Sequence, residues 1–243
     1  MDFKLPEEVK VVLNKFTEAG FQIYIVGGAV RDLLMGREVK DWDFTTSAKP
    51  EEILKLFPEG FYDNKFGTVG IPLHLGGGVE NPSNSHLPGG HQIIEITTMR
   101  KEGKYTDFRH PEYVGWTDKI EEDLTRRDFT INSMALSAKG ELIDLFEGQN
   151  DIKLKLIRAV RNPNLRFQED ALRMIKAFRM VSELEFEIDP ETFKAIQKNA
   201  RLTGEVAWER IRDELFKLLS GVNPYIGIVR LREAGILQII LPL

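Results

Sequence analysis

The chain of 243 residues contains no cysteine, which excludes disulfide scaffolds and thiolate metal centres outright. It has no apolar run near the roughly 20 residues that a membrane-spanning helix requires. The segment Met1 to Val12 is charged, not basic-then-apolar as a secretory leader is. A soluble, cytoplasmic protein with no membrane partner is the expectation. Histidine is scarce as well: three of the four histidines fall between His74 and His91, a stretch rich in Gly, Asn, Ser and Pro that reads as a long hairpin tip. Such loops collect histidines by chance, and an inserted segment is a simpler account of this one than a metal site. The G-x-G-x-x-G fingerprint of dinucleotide-binding folds is also missing.

Composition places the chain among globular proteins, with 42% hydrophobic and 29% charged residues, and the length suits one large domain or two modest ones. The formal net charge of -5 conceals a division near residue 150. Residues 1–150 hold 17 Lys and Arg against 25 Asp and Glu, whereas residues 151–243 hold 16 against 13. From Asp151 to Met180, eight basic residues face three acidic ones, a basic region suited to an anionic partner.

Periodicity divides the chain at the same place. Leu5 to Ala19 carries Val9, Val12, Leu13 and Phe16 at helical spacing and stops at Gly20. Phe21 to Val26 reads as a buried strand running into Gly27-Gly28, with a helix from Ala29 to about Met35. Lys40 to Thr46 reads as a second strand, followed by a helix opened by Ser47, Pro50 and Glu51 and running through Phe57. Phe66 to Leu73 and Gln92 to Met99 read as further strands. Beyond about Gly148, Phe167 to Leu184, Pro190 to Ala200, Ala207 to Leu219 and Pro224 to Ala234 read as helices. The expected class is α+β, with a mixed α/β region over residues 1–150 and a helical domain over residues 151–243.

Four clusters carry chemistry. In Val26-Gly-Gly-Ala-Val-Arg-Asp32, a strand ending in paired glycines and entering a helix exposes backbone N–H groups where a phosphate can approach, and Arg31 adds a guanidinium fork. The ordinary alternative is a tight turn with Arg31 solvated or paired to Asp32. In Asp41-Trp-Asp43, two carboxylates spaced two apart on a strand share a face, and a hard cation such as Mg²⁺ between them relieves their repulsion. The alternative is a pair of solvated aspartates.

The third cluster, Glu121 to Ala135, places Arg126 and Arg127 ahead of a helical stretch with Phe129, Ile131, Met134 and Ala135. Arg127 is suited to a triphosphate and Asn132 to a sugar or base. The fourth is Arg166 to Arg179, where Asp170, Arg173, Lys176 and Arg179 recur every third residue opposite an apolar arc of Ala171, Met174, Ile175, Phe178 and Val181. Asp170 and Arg173 together offer the acceptor and donor fork that read a base edge. An amphipathic helix and a solvated Asp–Arg face are the respective alternatives.

In this order, G-G-A-V-R-D, D-x-D-F, R-R-D-F-T-I-N and E-D-A-L-R resemble the class II tRNA nucleotidyltransferase and bacterial poly(A) polymerase family of the DNA polymerase β-like superfamily, over Gly27 to about Leu243. The resemblance implies a nucleotidyltransferase head with a mixed sheet and flanking helices, followed by an all-helical neck. It assigns Gly28 and Arg31 to the triphosphate, and Asp41 and Asp43 to the catalytic metal ions. Arg127 falls to the nucleotide, Asp170 and Arg173 to a protein template for the incoming base, and Lys176 and Arg179 to further nucleotide contacts. Lys176 departs from the family's usual arginine, keeping the charge and losing the fork. Glu95 corresponds to a further carboxylate near the metals.

Arg100 to Pro111 resembles a flexible loop associated with the switch from C to A addition. The implied activity is addition of C and A residues to the tRNA 3′ end from CTP and ATP, with Mg²⁺ and release of pyrophosphate. Poly(A) polymerase and partial CC- or A-adding enzymes share these motifs, and a catalytically silent RNA-binding protein is the non-enzymatic alternative. Family members usually continue into body and tail domains, whereas this sequence reaches Leu243 where the neck is expected to end.

Overall fold

Val9, Val12, Leu13 and Phe16 are all buried along one side of α1 (Glu7–Glu18), as their spacing predicts. Full burial of each such side chain contributes about 1.5–3 kcal/mol. The computed structural model describes residues 3–62, 67–73, 92–103 and 113–241. The chain divides into two compact units, Met1–Lys101 with Val114–Leu124 and Met134–Leu145, and Glu102–Tyr113 with Thr125–Ser133 and Phe146–Leu243.

In the first unit, β1 (Ile23–Val26) leads into α2 (Gly28–Leu34), and β2 (Asp43–Thr46) leads into α3 (Pro50–Leu56). Pro50 begins α3, and the Glu52 side chain accepts from the Lys49 backbone N–H at 2.8 Å, which satisfies one of the donors a helix start leaves open. Then follow β3 (Phe61–Tyr62), β4 (Thr68–Leu73), β5 (Gln92–Thr98), β6 (Arg100–Glu102), β7 (Val114–Trp116), α4 (Ile120–Thr125), β8 (Met134–Ser137) and β9 (Leu142–Asp144). Seven of these strands form one sheet in the order β3-β4-β5-β2-β1-β8-β9, and β6 pairs with β7 alone. Only β2 and β5 run parallel among the described pairs of the large sheet.

One face of that sheet is apolar. Ile25, Phe44, Val69, Ile71, Ile94 and Ile96 have at most 1% exposure, and α1 packs on β1 while α3 packs on β4. Phe16 stacks on Phe57 at 5.8 Å between ring centroids.

The second unit holds a 3₁₀ turn (Thr130–Asn132), α5 (Gly148–Leu154), β10 (Leu156–Ile157), α6 (Pro163–Glu169), α7 (Leu172–Leu184), β11 (Glu187–Ile188), α8 (Pro190–Asn199), α9 (Trp208–Leu219), α10 (Pro224–Glu233) and α11 (Leu237–Ile240). Apart from the two-residue parallel ribbon β10-β11, it is helical from α5 onward. Helix α7 lies at its centre, with α6, α9 and α10 packed against it.

Three sequence expectations change. The strand predicted over Lys40 to Thr46 begins only at Asp43, so Asp41 precedes the ladder. The helical stretch predicted around Phe129 to Ala135 is a 3₁₀ turn followed by strand β8. The single helix predicted from Phe167 to Leu184 is two helices, because Asp170 is extended at φ -144°, ψ 104°. The His74 to His91 stretch lies outside the described residues, as does the Arg100 to Pro111 loop beyond Gly103.

Candidate active site

The predicted residues divide between the units. Gly28, Arg31, Asp41 and Asp43 belong to the first, and Arg127, Asp170, Arg173, Lys176 and Arg179 to the second.

In the first unit, β1 ends at Val26 and the chain turns at Gly27, whose φ of 70° and ψ of -140° suit only glycine. Gly28 begins α2, and the Arg31 guanidinium folds back over it: a Cβ at Gly28 would lie 3.4 Å from Arg31 Nη2. Arg31 also donates through Nε and Nη2 to the two carboxylate oxygens of Asp32, each at 3.0 Å. The pairing anticipated as the ordinary alternative is therefore present. It holds the guanidinium fork beside the glycine turn.

Asp43 is the first residue of β2 and the register partner of Val26 on one side and of Glu95 on the other. Opposed residues on neighbouring strands lie on the same face of a sheet, with strands about 4.8 Å apart. Asp43 and Glu95 therefore share one face, one residue row from the glycine turn. Trp42 is 6% exposed, while Asp41 is exposed and Asp43 half-buried. The same face continues along the strands through Tyr24, Thr45, Thr97 and Thr68, with Thr68 and Thr97 hydroxyls 3.1 Å apart.

Among the described residues, no group of three His, Cys, Asp or Glu side chains is disposed to hold a metal ion unaided. Two carboxylates completed by the oxygens of a bound polyphosphate are nonetheless the usual Mg²⁺ set. Asp43, in register with Val26 next to the glycine turn, and Asp41, just ahead of the ladder, offer the hard oxygen donors that suit this ion.

In the second unit, Arg173, Lys176 and Arg179 converge electrostatically on Asp128. Crowding by protein pushes the Asp128 carboxyl upward, but the charges of Lys176 and Arg173, the Phe129 N–H donating at 2.8 Å, and Arg179 together hold it below the ordinary aspartate value. Three of the predicted nucleotide-binding cations thus act on one carboxylate of the R-R-D motif, a residue to which sequence reading gave no role. Arg127, its neighbour, is half-buried.

Asp170 occupies the break between α6 and α7, and its Oδ1 accepts from the Leu172 N–H at 3.1 Å. It pairs with Arg210 of α9, at 3.1 Å from Nη2 to Oδ2, and not with Arg173. Arg173 is only 8% exposed. It donates to Glu169 at 3.0 Å and to the Arg126 carbonyl at 3.1 Å. The polar row expected on a solvated face is therefore largely enclosed. Arg179 pairs with Glu183 at 2.9 Å and with Glu214 of α9 at 2.8 Å. Lys176 remains half-buried. Asn132 donates to the Met180 sulfur at 3.4 Å.

Behind Arg127, the 3₁₀ turn is anchored by Asp151, which is 1% exposed. Its carboxylate accepts from the Thr130 hydroxyl at 2.6 Å and from Arg158 at 2.9 and 3.1 Å. Arg210, Glu169 and Asp151 escaped sequence reading because each is brought to its partner by packing between elements, which leaves no local pattern.

Residues 23–158 match the family model described as the poly(A) polymerase head domain, and residues 185–243 match one described as a probable RNA- and SrmB-binding site of polymerase A. The chain is 45% identical over 228 residues to a CCA-adding enzyme of Ligilactobacillus salivarius, covering 92% of this chain and 52% of that protein. It resembles the crystal structure of the Bacillus stearothermophilus CCA-adding enzyme in complex with CTP, with a TM-score of 0.82 and 36% identity over 96% of this chain and 53% of that one. It also resembles the Thermotoga maritima CCA-adding enzyme complexed with tRNA, with a TM-score of 0.75 and 28% identity over 99% of this chain and 54% of that one. The chain spans about half the length of the curated relatives it matches. No described helix is long and apolar enough to cross a membrane.

Proposed function

Because the chain belongs to the poly(A) polymerase head-domain family, with more than half of its length inside that family's model, we propose that it is a nucleotidyltransferase adding C and A residues to the 3′ end of tRNA from CTP and ATP. The observation that carries this reading is the row in which Asp43 stands between Val26, at the mouth of the glycine turn, and Glu95. Carboxylates and a polyphosphate cradle side by side are the parts that phosphoryl transfer requires. The relatives' names and bound CTP and tRNA supply the substrate class.

The reaction is in-line attack of the RNA 3′ oxygen on the α-phosphorus of the triphosphate. A new P–O bond forms, the bond to the β-phosphate oxygen breaks, and pyrophosphate leaves. Asp41 and Asp43 would hold Mg²⁺, which would neutralise charge at the phosphates and lower the pKa of the attacking hydroxyl. Gly28 leaves room for the triphosphate, and Arg31, held beside the turn by Asp32, turns its guanidinium to the phosphate oxygens. Arg127, Lys176 and Arg179 are assigned to the nucleotide as cations, and Asp170 and Arg173 to the base edge as acceptor and donor. Alignment and electrostatics do the work, with no covalent intermediate on the protein.

Incubating the protein with Mg²⁺, a tRNA ending at its discriminator base and each triphosphate tests the proposal. Two C residues followed by one A is the expected product. Repeated A addition without CTP would instead identify a poly(A) polymerase, and no incorporation would identify a silent RNA-binding relative.

A further inference from the structure

The row containing Asp43 and Glu95 continues outward across the sheet. Glu95 opposes Gly70 on β4, and Gly70 opposes Phe61 on β3. Phe61 therefore stands on the same sheet face as the two carboxylates. It lies on the edge strand, 42% exposed. Its ring does not point away from the sheet. A Cβ at Gly70 would lie 2.6 Å from the Phe61 Cζ and 2.9 and 3.0 Å from the two Cε atoms. The tip of the ring thus occupies space that only glycine leaves open, over Gly70 of β4, the register partner of Glu95. With strands about 4.8 Å apart, the ring tip stands two spacings, about 10 Å, from the position of Asp43 on β2. That separation is comparable to the span of one nucleotide from its base to its 3′ oxygen.

Resting on the proposed activity, we infer that Phe61 is the surface on which the terminal base of the acceptor RNA stacks, delivering its 3′ hydroxyl toward Asp43. A half-exposed aromatic laid on a sheet suits any base, because every base presents a π face and stacking discriminates little between sequences. That tolerance matches an acceptor end whose terminal base changes after each addition. Glu95 lies between platform and aspartate, where a hydroxyl held by the stacked nucleotide arrives. Phe61 thereby binds substrate without contacting the triphosphate.

The competing account is that Phe61 only covers Gly70 on an edge strand, an aromatic filling the gap that glycine leaves. Leucine fills that gap without a π face, so Phe61→Leu separates the two, and Phe61→Trp serves as the rescue. Binding is read by fluorescence anisotropy of a 5′-fluorescein RNA hairpin with a single-stranded 3′ end, carrying either a terminal adenosine or a terminal abasic site. Stacking contributes about 1–3 kcal/mol per base, so Phe61→Leu is expected to weaken the adenosine RNA by about 5-fold to about 150-fold. The abasic RNA should bind both proteins equally, and Phe61→Trp should restore the difference. In incorporation assays the same variant should raise the KM for RNA, leaving the KM for CTP and the rate at saturating RNA unchanged. Equal weakening of both RNAs, or no weakening of either, overturns the assignment. Failure of the wild-type protein to incorporate nucleotides would refute the proposed activity, and the binding comparison would still decide the stacking.

Discussion

Asp43 and Glu95 oppose each other on parallel strands β2 and β5, two like charges on one sheet face at a separation set by the strand spacing of about 4.8 Å. Like charges directly opposite repel, and a cation bound beside them relieves that repulsion. Replacing Asp43 or Asp41 with alanine should leave the protein folded. Nucleotide incorporation should fall by about a thousandfold or more, since the loss of metal-held charge stabilisation is worth several kcal/mol. Melting curves and single-nucleotide incorporation measured on the same preparations check both halves, and incorporation at the wild-type rate would remove the metal assignment.

The first unit was largely legible because its signals are local. Val9 to Phe16 keep helical spacing, and Gly27-Gly28 and Pro50 punctuate the elements they bound. Where the reading went astray, two patterns coincide. Phe129, Ile131, Met134 and Ala135 satisfy helical spacing, yet β8 is buried on both faces at Met134, Ala135 and Leu136, so strand alternation never appears. At Glu169-Asp170-Ala171 neither proline nor glycine marks the break, and the apolar arc runs through it unbroken. The hinge depends on Asp170 accepting from Leu172 and pairing with Arg210 on a helix 40 residues away. Such a pairing is visible only after α7 and α9 have packed.

The different surroundings of Asp170 and Arg173 separate two variants that the sequence alone treats as equivalent. Asp170 is a partly accessible hinge residue, so Asp170→Ala should relax the choice of CTP and ATP over UTP and GTP with a stability loss of about 1 kcal/mol, the usual effect of removing a cap. Arg173→Ala removes the Glu169 carboxylate's Arg173 partner and opens a buried space, so it should cost about 2–4 kcal/mol in addition to any relaxed selection. Incorporation of all four nucleotides by each variant, alongside urea unfolding, distinguishes them. Unchanged nucleotide preference in Asp170→Ala would contradict the template role.

Asp151 supports the turn that follows Arg127 without reaching any substrate. Asp151→Ala strands the buried Thr130 hydroxyl, while Arg158, whose side chain is 44% exposed, recovers water. The expected loss is about 1–3 kcal/mol, that of one buried unsatisfied hydroxyl. Adding Thr130→Val should recover part of it, since the orphaned group is then gone. A double variant no more stable than the single one would show that the carboxylate acts elsewhere.

Asp128 links pH to the arrangement of the cations. Its carboxyl is held below the ordinary aspartate value in the folded protein, so folding favours the ionised form. The resulting stability is fully present above the unfolded-state pKa of about 3.9 and is lost as pH falls through the folded value. Asp128→Asn keeps an oxygen for the Phe129 N–H and removes the negative charge that Arg173, Lys176 and Arg179 face. The variant should be less stable than the parent by about 1–3 kcal/mol near neutral pH. That gap should persist down to the unfolded-state pKa of about 3.9, narrow below it, and close only once pH has fallen through the lower folded value, where the parent also carries a neutral side chain. Urea midpoints of both proteins across this range test the linkage, and a gap independent of pH would show that packing, not charge, holds the three cations in place.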